Sequence, residues 1–85
     1  MEYLVVAFRS RAHTVKFSEY LRINGVANEI INTPKEAGVG CGLCVKIKKE
    51  HYTVAKRAVL NLAFSSFAGF FLISIVSGKR FVRTI

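Results

Sequence analysis

Two cysteines, Cys41 and Cys44, carry the side chains best suited to covalent chemistry. Cys41 lies between Gly40 and Gly42. Glycines on both sides leave a thiol open to solvent and let backbone N–H groups approach whatever is bound to it. A thiol near positive charge has a lowered pKa and populates the nucleophilic thiolate. The pattern favours a reactive Cys41, while the alternative of a small apolar loop residue remains open.

Basic and hydroxyl side chains are predicted to surround this thiol. Arg9, Arg11 and Lys35 supply positive charge, and a helix starting after Ser10 would add its N-terminal dipole, which favours anions. Serine hydroxyls can hydrogen-bond an anion as well. The predicted anion-binding group is Arg9, Ser10, Arg11, Lys35, Gly40, Gly42, Ser65 and Ser66.

Neither a metal nor a cofactor is predicted. Cys41 and Cys44 form a Cys-x-x-Cys, but the second cysteine falls on a predicted strand, whereas redox proteins place this motif at a helix start. A four-ligand zinc site would also need His13 and His51, whose spacing is not that of a zinc finger. His51 is moreover expected at the opposite end of the domain.

Length and charge limit the class of protein. The chain has 85 residues, with 13 Lys and Arg against 5 acidic residues, and 52% of its residues are hydrophobic. That length fits one domain, residues 1–85, and the apolar content excludes a disordered chain. Two nearby cysteines cannot form a disulfide scaffold. The net charge of +8 suggests nucleic acid, phosphate, an acidic protein or a membrane surface as partner, or simply a basic surface.

Residues 58–78 contain no charged side chain and are long enough to span a bilayer. Asn61 and several serines interrupt this run, and equally basic flanks give it no orientation. The segment from Ser65 to Gly69 is typical of a turn between a helix and a strand. We therefore expect no membrane span. No signal peptide is recognisable at the start of the sequence, because residues 1–8 include Glu2 and lack a basic start.

Hydrophobic periodicity predicts strands over residues 3–8, 26–33, 43–48 and 69–77, and helices over 11–24 and 50–65. Residues 79–85 form a basic tail that could add another short strand. The first helix has an apolar stripe of Ala12, Val15, Tyr20, Leu21 and Ile23. The order β-α-β-β-α-β predicts an α+β, ferredoxin-like sandwich. Its four-stranded antiparallel sheet has the order 4-1-3-2, with two helices on one face.

This topology has consequences for the site. It brings residues 9–11, the loop 35–42 and Ser65-Ser66 to one end of the domain. Along the third strand, alternation directs Leu43, Val45 and Ile47 to the core and directs Cys44, Lys46 and Lys48 to solvent. RNA-binding domains of this fold carry aromatic residues on that face. Specific RNA binding is therefore not favoured, which leaves non-specific contact through charge.

Three segments resemble the selenium/sulfur carrier-like family of small bacterial proteins: Phe-Arg-Ser-Arg at 8–11, Asn-Thr-Pro-Lys-Glu-Ala-Gly-Val-Gly-Cys-Gly-Leu at 32–43, and Ser-Ser-Phe-Ala-Gly-Phe-Phe at 65–71. The similarity extends over about residues 3–75. It implies a cytoplasmic protein that holds sulfur or selenium on Cys41 as a persulfide or selenosulfide. Cys44 departs from the usual serine or alanine and suggests a resolving thiol that closes a disulfide with Cys41.

These observations predict a non-enzymatic covalent carrier that exchanges sulfur or selenium with donor and acceptor proteins. No general base is placed beside the thiol, and Glu36 is the one acid expected near it. The alternative is a basic module that binds a phosphate-bearing ligand, an acidic protein or nucleic acid, with Cys41 incidental. A third hypothesis is a basic membrane-associated protein. A polar edge strand and surplus apolar surface suggest a homodimer.

Overall fold

The chain folds into an antiparallel sheet with helices packed on it. The computed structural model describes residues 1–39 and 42–85. Within them lie five strands and two α-helices: β1 (Glu2–Phe8), α1 (Arg11–Ile23), β2 (Glu29–Asn32), β3 (Leu43–Ile47), α2 (Tyr52–Leu62), β4 (Phe67–Val76) and β5 (Lys79–Thr84). Short 3-10 turns occupy Lys35–Ala37 and Lys49–His51.

The sheet has the strand order β2-β3-β1-β4-β5, with every pair antiparallel. The first four strands follow the predicted order 4-1-3-2, but the prediction of four strands is wrong. The predicted basic tail forms β5, which pairs with β4 through a tight turn. Ser77 and Gly78 both have positive φ, of 52° and 76°, as a two-residue hairpin turn matching the right-handed strand twist requires.

Both helices cover one face of the sheet and share a hydrophobic core with it. On that face α1 buries Phe17 and Leu21, while α2 buries Ala55 and Ala58. Alternate residues of the central strands complete the core, because successive side chains of a strand point to opposite faces. Its strand members are Leu4, Val6, Phe8, Val45, Ile47 and Phe70.

The second face of the sheet is covered by the connection between β2 and β3. Residues 35–39, which we call the strap, cross this face towards β5. Val39 is buried there and Ala37 packs beside it. Beneath them are buried Val5, Ala7, Cys44, Phe71 and Ile73. The prediction that Cys44 faces solvent is therefore wrong: alternation gave its face correctly, but the strap covers that face.

The uncharged run 58–78 divides into a helix and a strand, as predicted. The helix ends at Leu62, three residues before the predicted end, because Ala63 takes the left-handed conformation with φ of 50°. Residues 63–66 then lead into β4. Within the described parts of the chain, no helix has both the length and the apolar character needed to cross a membrane.

Candidate functional site

The start of α1 is built around Ser10. Ser10 has extended backbone angles, and its Oγ accepts a hydrogen bond of 3.2 Å from the His13 backbone N–H, so it is the N-cap of the helix. The carbonyl oxygen of Ser10 accepts from both the backbone N–H and the hydroxyl of Thr14, each at 3.1 Å. The Ser10 hydroxyl was predicted to bind an anion. In the structure it caps the helix, a role that is typical of a serine directly before a helix.

His13 and Ser66 join the helix start to the turn before β4. The His13 Nδ1 and Ser66 Oγ atoms lie 2.6 Å apart. The His13 ring stacks on Phe64, with centroids 4.4 Å apart and planes inclined by 5°. The Arg9 backbone N–H donates to the Ser66 carbonyl oxygen at 2.8 Å. His13 was not among the predicted site residues, and only its place in the first turn of a helix next to Ser10 could have indicated it.

The predicted cations fall into two groups. Arg9 and Arg11 are exposed and lie together at the start of α1, beside the half-buried Ser66. Lys35, also exposed, starts the 3-10 turn that crosses the second face and contacts β5. The convergence of all three cations around Cys41 therefore stays a prediction, since Cys41 lies outside the described residues. The strap leaves the sheet end because Ala37 and Val39 are buried over the apolar second face.

The base of the loop that carries Cys41 is fixed on both sides. The Thr33 N–H donates to the Gly42 carbonyl oxygen at 3.0 Å, continuing the β2–β3 pairing by one step. Among the described residues other than its chain neighbours, no atom lies within 4 Å of the position that a Cβ on Gly42 would take. Gly40 and Cys41, both predicted site residues, lie outside the described residues.

Thr33 presents a buried polar atom at this base. Its hydroxyl oxygen is buried and has no hydrogen-bond partner in residues 1–39 and 42–85. Buried hydroxyls are nearly always hydrogen-bonded, so such an atom calls for a specific explanation. The sequence prediction missed Thr33, although it lies in the same segment as Cys41 and directly precedes Pro34.

The strap is tied to β5 by an ion pair. Arg80 donates two hydrogen bonds to Glu36, of 3.1 Å from Nε and 2.8 Å from Nη2. These bonds hold the pKa of the Glu36 carboxyl below its ordinary value and raise the pKa of Arg80. The pairing is bidentate, which fixes orientation as well as distance. Glu36, expected near the thiol as an acid, is thus engaged on the second face.

The two histidines lie at opposite ends of the sheet, and most of the acidic side chains pair with cations. His51 lies in the turn that follows β3, at the end of the sheet opposite His13. Across the described ranges 1–39 and 42–85, no three His, Cys, Asp or Glu side chains are grouped so as to hold a metal ion. Four glutamates pair with cations: Glu2 with Lys49, Glu19 with Arg22, Glu29 with Lys46, and Glu36 with Arg80.

Fold and site together define a small, basic α+β protein in which the segment that contains Cys41 connects the neighbouring strands β2 and β3. The chain belongs to the family described as Putative Se/S carrier protein-like, whose family model matches residues 3–63. The match includes both cysteines, α1 and the strap, and ends before β4, twelve residues short of the span that the sequence resemblance gave. No curated protein and no solved structure matches the chain.

Proposed function

We propose that this protein carries sulfur or selenium on Cys41 and passes it from a donor protein to an acceptor protein. Membership of the Se/S carrier-like family is the observation that carries the proposal, because the matched segment contains the whole cysteine loop. The protein acts as a covalent carrier and not as an enzyme. It works in the cytoplasm, as a ferredoxin-like sheet extended by the edge strand β5.

Loading is a thiol–persulfide exchange. The Cys41 thiolate attacks the outer sulfur of a persulfide on the donor, a new S–S bond forms, and the donor's own S–S bond breaks to release its cysteine as a thiolate. The proton on the outer sulfur stays with it, so electrons balance without an added oxidant. Selenium is carried as a selenosulfide by the same exchange. Unloading repeats the step with a thiolate of the acceptor.

The surroundings of the loop support an anionic sulfur. The Thr33 hydroxyl is buried beside Gly42, the residue after Cys41, and has no hydrogen-bond partner within residues 1–39 and 42–85. A hydroxyl in that position can donate a hydrogen bond to a thiolate or persulfide anion. Arg9 and Arg11 add positive charge at the start of α1, and their exposure suits them to contact with an acidic donor or acceptor.

Cys44 serves in this proposal as the resolving thiol. Its thiolate attacks the inner sulfur of the Cys41 persulfide, a Cys41–Cys44 disulfide forms, and the outer sulfur leaves as hydrosulfide with its proton. A dithiol reductant then restores both thiols. Cys44 is fully buried beneath the strap. Resolution therefore needs the strap to move, and an undisturbed carrier retains its cargo.

The second face of the sheet counts against the nucleic-acid alternative. RNA-binding sheets offer an open face with aromatic rings on which bases stack. Here the equivalent face is covered by Val39 and Ala37, and the residues under them are buried. The proposal therefore assigns the positive charge to protein partners. A homodimer is a further part of the proposal, supported by exposed Ile30 on the edge strand β2.

Mass spectrometry of the intact protein tests carriage directly. The protein is incubated with a cysteine desulfurase and cysteine, alongside the variants Cys41→Ser and Cys44→Ser. We expect wild type and Cys44→Ser to gain one reducible sulfur atom and Cys41→Ser to gain none. Equal loading of Cys41→Ser would overturn the assignment. If no variant takes up sulfur, carriage fails and the basic binding module becomes the better hypothesis.

A further inference from the structure

The strap is held by two separate kinds of contact. Val39 is 9% exposed and packs into the apolar second face, with Ala37 partly buried beside it. The second contact is the ion pair of Glu36, the second residue of the strap, with Arg80 of β5. Arg80 lies opposite Ile75 in the pairing of β5 with β4. The edge strand therefore reaches across the sheet to the segment that leads into the cysteine loop.

Cys44 is the nucleophilic side chain that the strap covers. It lies in the same cluster as Val39 and is 0% exposed. The helix-face core includes neither Cys44 nor any strap residue. Lifting the strap would therefore uncover Cys44 while the packing of both helices against the sheet stays in place.

We propose that the Glu36–Arg80 pair is a latch that keeps the strap closed over Cys44, and that its release makes the Cys44 thiol reachable in the folded protein. Arg80 is a positioning residue, since it acts on Cys44 through Glu36 and the strap. The consequence for sulfur transfer rests on the proposed function: an open latch permits the resolving step and a closed latch prevents it. A carrier of this design would release sulfur when a partner draws Arg80 away from Glu36.

The energetics suit a latch more than a structural support. The Arg80 and Glu36 side chains are 46% and 44% exposed, and exposed ion pairs contribute little to overall stability. Local openings that break few buried contacts require much less free energy than global unfolding. The strap buries mainly Val39. Because so little apolar surface holds the strap, even a weak ion pair contributes a sizeable share of the free energy that keeps it closed. An acidic or basic partner surface could compete for either member of the pair.

Alkylation of Cys44 in a Cys41→Ser background measures the opening, because Cys44 is then the one cysteine in the chain. The rate is measured with excess iodoacetamide for the background protein and for Arg80→Gln, Glu36→Gln and the double variant. Arg83→Gln is the matched control, since Arg83 is an exposed cation of the same strand. We expect Arg80→Gln, Glu36→Gln and the double variant each to label about two- to five-fold faster than the background protein, by equal factors. The control should label at the rate of the background protein.

Two further measurements separate local opening from unfolding. Local opening exposes little surface, so the labelling rate should stay flat in low urea, whereas global unfolding would make it rise steeply. Exchanging the charges, with Glu36→Arg and Arg80→Glu together, should restore slow labelling. Val39→Ala should accelerate labelling while the ion pair stays intact.

Equal rates in Arg80→Gln and Arg83→Gln would overturn the latch, as would labelling that follows global unfolding in urea. These outcomes do not depend on sulfur transfer. A carrier without a latch would gain sulfur on Cys41 but show equal labelling rates. A protein with a latch that carries no sulfur would show the faster labelling without the gain in mass.

Discussion

Replacing Thr33 by valine tests the buried hydroxyl at the base of the cysteine loop. Valine has the same branched shape and suits the extended conformation favoured before Pro34. The change removes an oxygen that is buried without a hydrogen-bond partner among the described residues. Leaving such a group unsatisfied costs about 1–3 kcal/mol. Thr33→Val should therefore raise the free energy of unfolding. We expect an increase of about 1–2 kcal/mol, less than the full cost, because the surroundings of Thr33 in the folded protein adjust to the unpaired hydroxyl.

Thr14→Val supplies the matched control. Thr14 is also buried, but its hydroxyl donates to the Ser10 carbonyl oxygen at 3.1 Å. Removing a satisfied hydrogen bond should lower the free energy of unfolding by about 1 kcal/mol. The same chemical change thus has opposite signs at two positions. In a domain of this size each kcal/mol corresponds to about 4–8 °C in Tm, so thermal melts followed by circular dichroism resolve both shifts.

Cys41 reactivity gives the second measurement on Thr33→Val. If the hydroxyl stabilises the sulfur anion that forms when the Cys41 thiol ionises, the variant should alkylate more slowly at Cys41 at neutral pH. The Cys44→Ser background leaves Cys41 as the one thiol in the chain. A loss of stability equal to that of Thr14→Val would refute the premise that the hydroxyl is unsatisfied. A gain in stability with unchanged Cys41 reactivity would remove Thr33 from the sulfur site.

Three further predictions concern the ends of the site. Ser10→Ala should lower the free energy of unfolding by about 1 kcal/mol in urea melts, because the N-cap is lost, and Ser10→Asp should restore it. Ser66→Ala removes the hydroxyl that is hydrogen-bonded to His13 Nδ1, so it should lower the free energy of unfolding by about 1 kcal/mol. It should also change the ¹⁵N NMR signal of the His13 imidazole. An unchanged signal would contradict the contact. Arg80→Gln should return the Glu36 carboxyl pKa towards its ordinary 4.5, seen in a ¹³C NMR titration. Because the folded pKa of Glu36 is lowered, the pair's contribution is present above pH 4.5 and is lost as the pH falls through the folded pKa.

The first helix shows why its position was predicted and its buried face was not. A helix starting after Ser10 and ending at residue 24 was predicted, and the observed helix, Arg11–Ile23, ends one residue earlier. Its predicted apolar stripe was right for Leu21, which is buried, and wrong for Val15 and Ile23, which are 45% and 73% exposed. The buried row is Thr14, Phe17 and Leu21, at helical spacing. Thr14 is buried because its hydroxyl is satisfied by Ser10, a compensation that a count of apolar residues does not include.

The second face of the sheet depends on contacts that no local pattern specifies. Alternation along β3 correctly separated Val45 and Ile47 from Cys44. What covers Cys44 is the strap, whose only apolar side chains are Ala37 and Val39. Its Glu36 pairs with Arg80, which is 44 positions away in the sequence. The basic composition of residues 79–85 predicted a tail that could form another short strand, but it did not indicate that Arg80 pairs with Glu36 across the sheet.

The end of the family match at residue 63 leaves the sheet incomplete, which leads to a prediction about truncation. The central strand β1 pairs with β4 along Glu2–Phe8, and its Val5, Val6 and Ala7 are 0% exposed. A chain ending at 63 would expose that edge and lose the buried residues that β4 supplies. We expect fragment 1–63 to be unfolded by circular dichroism and by NMR dispersion.

Fragment 1–77 is the informative contrast, because it keeps β4 and loses only β5. The helix-face core contains no residue of β5, so this fragment should remain folded. It lacks Arg80, and in the Cys41→Ser background its Cys44 should label at least as fast as in Arg80→Gln. A folded 1–63 would show that the matched segment is self-sufficient. An unfolded 1–77 would show that β5 supports the fold itself, and the latch would then have to be judged on the point variants alone.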